Sequence, residues 1–537
     1  MELQAARLTR PGRRGERIRQ AAFGLAAAVA TLAPAPASPD EPIVYSVRVA
    51  APETHYAEIR ATYPTQGRDV IDLMMPVWSP GFYRLENYAS LVEDLYARSP
   101  GDGRALMVER PRLNRWRIQT QGAATVEVTY RILCEGRSVT TNTVSENLLV
   151  LNPAAALITV ASDLNRPHEI RLELPGSWKP AMSGLIPAKA RTPNRFLARD
   201  YDTLVDRPIL AGDLSVREFT VSGVRHQLVD AGNRDQWDAA RGARDLEKIV
   251  RATRDYWGLL PFGRYVFLNV FRQGGGGLEH ANSTLLTSSP EMKTPTLRWL
   301  SFVAHEYFHA YNVKRLRPVE LGPFDYEKPP STSSLWISEG LTTYGADLVL
   351  SRARLCTADE FLTLLSSHIA TLQGSPGRLK QTLEQASLDV WNSGTSGVGR
   401  DPENLVSYYV KGPVVGFVLD ARIQRATAGK KSLQDVMRLA YRRYSGARGF
   451  TADEFRKTAE DVARTDLADS FRSWLASTEE IDYREALDWF GLKFAGSSDA
   501  TMPWQLAVRA DASAEQAKRL RKWLGQTGQE SKRDARP

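Results

Sequence analysis

Two histidines four residues apart, His305 and His309, with Glu306 beside the first, restrict this chain more than any other feature. In a helix that spacing puts both imidazoles on one face, one turn apart, where they can ligate a single zinc ion. Glu306 then stands next to them, placed to take a proton from a water held there. The surrounding residues predict the helix. Thr294 is the expected cap, Pro295 suits the first turn, and Leu297, Leu300, Val303, Ala304 and Phe308 recur at helical spacing. Chance also places H-E-x-x-H on solvated helix faces, so the metal reading needs a third ligand and an open position.

Leu335, Leu341, Tyr344 and Leu348 predict a second, amphipathic helix with Glu339 near its start. A lone carboxylate there is costly unless paired or bound, although a helix dipole also favours acids in a first turn. With His305 and His309, Glu339 completes a His-His-Glu set for one zinc ion per chain. Upstream, residues 265–271 read as a buried strand that empties into Gly274-Gly275-Gly276-Gly277-Leu278-Glu279-His280. Gly276 and Gly277 let another backbone come close, as a peptide-binding edge requires, and Glu279 is placed to receive a substrate ammonium. A flexible surface loop is the alternative for that segment alone.

The ordered set G-G-L-E-H, H-E-Y-F-H-A-Y-N-V-K-R-L-R-P, W-I-S-E-G-L-T-T-Y and S-Y-Y-V-K-G-P resembles the glycyl aminopeptidase family of gluzincin metallopeptidases. M-P-V-W-S-P-G-F-Y at 75–83 resembles that family's amino-terminal domain, so the likeness runs from about Pro42 to about Phe494. The resemblance implies a multidomain α+β chain. An N-terminal antiparallel β sandwich would precede a thermolysin-like, mainly helical catalytic domain with a small β-sheet. It implies His305, His309 and Glu339 as zinc ligands, Glu306 as general base and Glu279 as anchor of the free amino terminus. It also places a tyrosine near the scissile carbonyl, Tyr408 or Tyr409; neighbours on a helix face different ways, so the sequence leaves both open. Tyr311 stands where the family more usually has tryptophan.

The first residues carry Arg7, Arg10, Arg13, Arg14, Arg17 and Arg19, then an apolar run at 21–33, then Ala33-Pro34-Ala35-Pro36-Ala37. That order predicts a signal peptide over 1–37 and export, in a bacterium to the periplasm. Arg13-Arg14 matches a twin-arginine signal poorly, and general secretion fits better. The apolar run is short for a membrane span and no later stretch qualifies. The formal net charge of +8 includes those arginines, so it does not point to nucleic acid. Two cysteines, Cys134 and Cys356, make no disulfide framework and read as buried small hydrophobes. Of seven histidines, His55, His168, His226 and His368 lie outside the motifs and are expected at the surface or hydrogen-bonded.

Short apolar runs at 43–49, 58–62, 126–132 and 169–174, with Pro/Gly punctuation, predict the sandwich over 38–212. Helical patterning from 237–256 onward predicts the catalytic domain over 213–480, with a long loop at 374–404. Capping-box spacings open helices at 432–444 and 451–463. The region 481–537 reads as a short extension with one amphipathic helix at 513–524, where the family often has a PDZ module. The expected activity is zinc-assisted hydrolysis at the free amino terminus of peptides, with glycine and alanine favoured by the resemblance. A zinc endopeptidase of the same fold and a non-catalytic peptide-binding protein are the alternatives. Oligomeric state is left open.

Overall fold

A computed structural model describes residues 41–188, 192–392, 401–495 and 503–526. The expected signal peptide lies outside them. In the N-terminal part, strand Ile43–Arg48 alternates buried Ile43, Tyr45 and Val47 with the less buried Val44, Ser46 and Arg48. It pairs antiparallel with Tyr56–Pro64, which pairs with Thr125–Leu133, and parallel with His168–Glu173. The resulting seven-stranded sheet is therefore not purely antiparallel. Its buried face shares one core with a four-stranded sheet that contributes Ile71, Leu73, Trp116 and Ile118.

Buried backbone needs hydrogen-bond partners, and tyrosines supply them in this core. Tyr45 and Tyr63 both donate to the Ile158 carbonyl, at 2.8 and 2.9 Å, Tyr130 to Ala156 at 2.9 Å and Tyr201 to Leu157 at 3.1 Å. His168 stacks on Tyr45 in the same core, and neither ring nitrogen has a hydrogen-bond partner. The expectation of a surface or hydrogen-bonded histidine fails there, because the inward phase of its strand outweighs the polarity of the ring.

The C-terminal part opens on a five-stranded sheet. Strand Arg264–Phe271 lies at its centre, parallel to Val224–Gly232 on one side and Ser283–Ser288 on the other, and is largely apolar for that reason, its buried Asn269 being hydrogen-bonded to Asp230 and Ser288. Gly277–Glu279 pairs antiparallel with Ser283–Ser288 and leaves its other edge open. Helix Ala239–Trp257 starts on an Asp238 cap and stops at Gly258 in the left-handed region (φ 87°). Its last residue, Trp257, stacks on Tyr311 at 5.0 Å.

Helix Leu297–Phe308 is capped by Thr296, which accepts from the Trp299 amide. Thr294 and Pro295 precede it, so the expected cap is displaced by two residues. The segment with Glu339 is a single π-helical turn, Trp336–Gly340, running into helix Leu341–Arg352. Nearly all of that helix is buried, so it is not amphipathic as expected. The stretch expected as a long loop holds helix Leu383–Leu388 and two short 3₁₀ turns. The expected capping boxes at Ser432/Asp435 and Thr451/Glu454 are present.

The C-terminal residues pack into the helical core. Trp523, in helix Ala514–Trp523, stacks on Phe490 at 4.2 Å and donates from Nε1 to the Tyr344 hydroxyl at 2.9 Å. Cys134 and Cys356 are free and buried. No helix among the described residues is long and apolar enough to cross a membrane.

Candidate active site

Helical spacing brings His305 and His309 together at the end of Leu297–Phe308, their Nε2 atoms 2.9 Å apart. Glu339 Oε2 lies 3.4 Å from the first and 3.2 Å from the second. The rings are fixed from behind. His309 Nδ1 faces the Asn312 carbonyl at 2.8 Å and so carries its proton there. His305 Nδ1 lies 3.2 Å from Thr343 Oγ1, whose own proton goes to the Glu339 carbonyl. Both Nε2 lone pairs therefore point at one place beside a carboxylate. Two imidazole nitrogens this close share either a proton or a metal ion, and two imidazoles with one carboxylate suit zinc. The donor set fits that ion.

The turn that carries Glu339 is held by backbone contact. A Cβ added at Gly412 would lie 2.7 Å from the Gly340 Cα, so the π-helical turn rests directly on helix Tyr408–Ala426. The N-terminal domain reaches the same carboxylate. Tyr83, 3% exposed, donates its hydroxyl to Glu339 Oε1 at 3.3 Å and packs edge-on against Trp391.

Glu306 and Glu279 are also buried, with Glu306 Oε2 and Glu279 Oε1 free of hydrogen-bond partners. Burial pushes Glu306 up to about 8 and raises Glu279 as well. Burial also opposes ionisation of Glu339, but His309 and His305 outweigh it and hold that carboxyl far below its usual range. For His309 burial disfavours the proton, yet Glu339, Glu279 and Glu306 prevail and push it up to about 10. The pocket is thus an anionic field that a cation relieves.

A Cβ at Gly277 would come within 2.6 Å of Phe302 Cζ and also collide with the Glu306 carboxylate, so a side chain there would displace one or both. Gly276, Gly277, Glu279, Glu306, both histidines and Glu339 line one cleft of about 430 Å³. Tyr409 lines it too, its ring 6.1 Å from His305. Tyr408 is fully buried behind, with its hydroxyl unpartnered. Of the two tyrosines left open, Tyr409 is the one that faces the cleft. His280 is not among the clustered donors and instead faces Asp206 at 3.5 Å.

Sequence reasoning missed Tyr83, Thr343, Asn312, Arg298 and His368. M-P-V-W-S-P-G-F-Y marks the Tyr83 segment, but nothing in linear spacing joins it to Glu339. His368, expected outside the site, lines the cleft.

A β domain ahead of a helical domain with this donor set defines a zinc metallopeptidase of the aminopeptidase N-like class. The Peptidase M61 N-terminal domain model matches residues 44–213 and the M61 glycyl aminopeptidase model residues 298–415. The chain belongs to the M61 glycyl aminopeptidase family. An aminopeptidase N family protein from Idiomarina loihiensis is 28% identical with a TM-score of 0.79, over 84% of this chain and 78% of that one. An M1 zinc metallopeptidase from Deinococcus radiodurans, at 12% identity and TM-score 0.52, matches over 82% of this chain and 95% of its own. Leukotriene A4 hydrolase from Saccharomyces cerevisiae, at 15% and 0.51, matches over 84% and 70%. These last two share the fold. Comparison with curated proteins found no match.

Proposed function

We propose that this aminopeptidase is exported, binds one zinc ion per chain, and removes small residues, glycine and alanine, from peptides with a free amino terminus. The observation that carries the reading is Glu279. Its buried carboxylate, with one oxygen unpartnered, ends an open edge strand in the cleft that holds His305, His309 and Glu339. An ammonium is the natural partner for such a group.

His305, His309 and Glu339 would hold the ion. Zinc at that place supplies Lewis acidity, which lets a water lose its proton near neutral pH and polarises a carbonyl. Glu306 accepts that proton on Oε2 as the water attacks, then delivers it to the departing amine nitrogen. Tyr409 donates its O–H to the oxygen of the tetrahedral intermediate. Gly276 and Gly277 leave the edge strand bare enough for the substrate backbone to lie along it. Glu279 takes the ammonium one residue from the cut, which restricts cleavage to the first peptide bond.

The preference for small residues is supported by the family and by crowding at the Glu279 end, where a Cβ on Gly81 would sit 2.7 Å from the Glu279 carboxyl carbon. Export is supported by the arginine-rich, then apolar, then Ala-Pro-Ala order of the first residues. Zinc-loaded enzyme assayed on amino-acid anilides and on an amino-blocked, internally quenched peptide tests the reading. Glycyl and alanyl anilides should be the best substrates and the blocked peptide should survive. Efficient internal cleavage of the blocked peptide would overturn it. Fractionation of expressing cells with N-terminal sequencing of the mature chain tests export.

A further inference from the structure

One end of the cleft carries a positive charge that the chemistry above does not use. Arg298 lines it with Ser301, Phe302 and His305, the residues at i, i+3, i+4 and i+7 on one face of helix Leu297–Phe308. Arg298 is exposed, and no ion pair or hydrogen bond engages it among the described residues. Its neighbours are committed. Ser301 donates to Asp347 at 2.7 Å, and His368 Nε2 lies 3.9 Å from the same carboxylate. The guanidinium is the free charge at this end.

The acidic anchor stands at the opposite end. Gly277 abuts Phe302 and Glu306, whereas Glu279, two residues further along the strand, feels His309 and Lys314 most among the cations. Strand and helix thus run side by side. From Glu279 toward Gly276 the cleft passes His309, then Glu306 and Phe302, then Arg298. The cleft is negative where the amino terminus binds and positive beyond the cut.

We propose that Arg298 is an anion subsite on the leaving side of the scissile bond, which takes the free carboxylate of short peptides and makes di- and tripeptides the preferred substrates. The proposal rests on the aminopeptidase reading, because the register starts from an ammonium at Glu279. Seven residues separate Arg298 from His305, about 10 Å along the helix axis. An extended peptide advances about 3.5 Å per residue, so a carboxylate one or two residues past the cut stops about 3 to 7 Å short of the Arg298 position, a gap that a flexible arginine side chain can span. The planar fork binds a carboxylate through two parallel hydrogen bonds, which an amide cannot reproduce.

The test compares Ala-Ala-Ala with its C-terminal amide on zinc-loaded enzyme; both have a free amine, so the comparison is independent of exopeptidase specificity. The unmutated enzyme should prefer the acid about tenfold in kcat/KM at low salt, a preference that shrinks with ionic strength. Arg298→Gln should bring the ratio close to one, and Arg298→Lys should keep part of it. Calorimetric binding of the same pair to zinc-loaded Glu306→Gln protein reads the subsite without turnover, and tighter binding of the acid supports it. Equal handling of acid and amide by the unmutated enzyme, equal binding by Glu306→Gln, or an undiminished ratio in Arg298→Gln overturns the subsite. Internal cleavage of amino-blocked peptides overturns the aminopeptidase reading instead.

Discussion

Tyr83→Phe separates the contribution of the N-terminal domain to the metal site from its contribution to packing. The ring is 3% exposed and stays in contact with Trp391 in the variant, so only the hydroxyl and its 3.3 Å bond to Glu339 Oε1 are removed. Burial first, then Glu339 and Glu279, raise the Tyr83 pKa well above its ordinary value, so the phenol is the donor and the carboxylate the acceptor. Hydrogen bonds to a charged group contribute about 1.5 to 3 kcal/mol, and a bond of this length belongs at the lower figure. Each 1.4 kcal/mol is roughly tenfold in a dissociation constant, and partners behind metal ligands usually change affinity about 10- to 100-fold. Competition against a chromophoric chelator should show zinc held about tenfold more weakly. The metal-free protein should lose only the few degrees of Tm that one hydrogen bond accounts for. An affinity within twofold of the unmutated protein refutes the reasoning, as does a metal-free Tm that falls in parallel with affinity.

Glu279→Gln should lower kcat/KM on free-amino substrates by an amount equivalent to about 2 to 5 kcal/mol while zinc content stays the same; loss of zinc would assign Glu279 a different role. His168 gives a pH signature: burial holds its pKa near 3, below the usual 6.5, so its neutral form contributes stability above about pH 6.5 that is lost as pH falls toward 3. Urea unfolding of His168→Phe should therefore show a shallower loss of stability across that window, by roughly 5 kcal/mol at most, and parallel pH curves for the two proteins would contradict it. Trp523→Ala removes a buried indole stacked on Phe490 and should cost about 3 to 5 kcal/mol in unfolding free energy, whereas a loss under 1 kcal/mol would mean that the C-terminal helix is not part of the core.

The parts of the site visible in the sequence are those set by local periodicity. His305, Glu306 and His309 share one helix, where a four-residue spacing has only one geometric meaning. Glu339 was visible as a carboxylate out of place in an apolar stretch, but its setting was not. The amphipathic pattern predicted around it dissolves because Gly340 and Gly412 let two helices touch backbone to backbone, which buries nearly every face of the helix that follows. Thr294-Pro295-Thr296 offers two caps, and the structure uses the second, since proline is kept out of the helix. Tyr408 and Tyr409 differ only in azimuth, which packing against Glu339 and His305 decides. Tyr83 and Arg298 were invisible for opposite reasons: Tyr83 acts across domains, where sequence separation carries no distance, and Arg298 looks like any solvated helix residue until the cleft is drawn around it. A site built from local motifs is thus completed by long-range contacts, and those contacts, rather than the zinc motif, are where substrate choice within this family has room to vary.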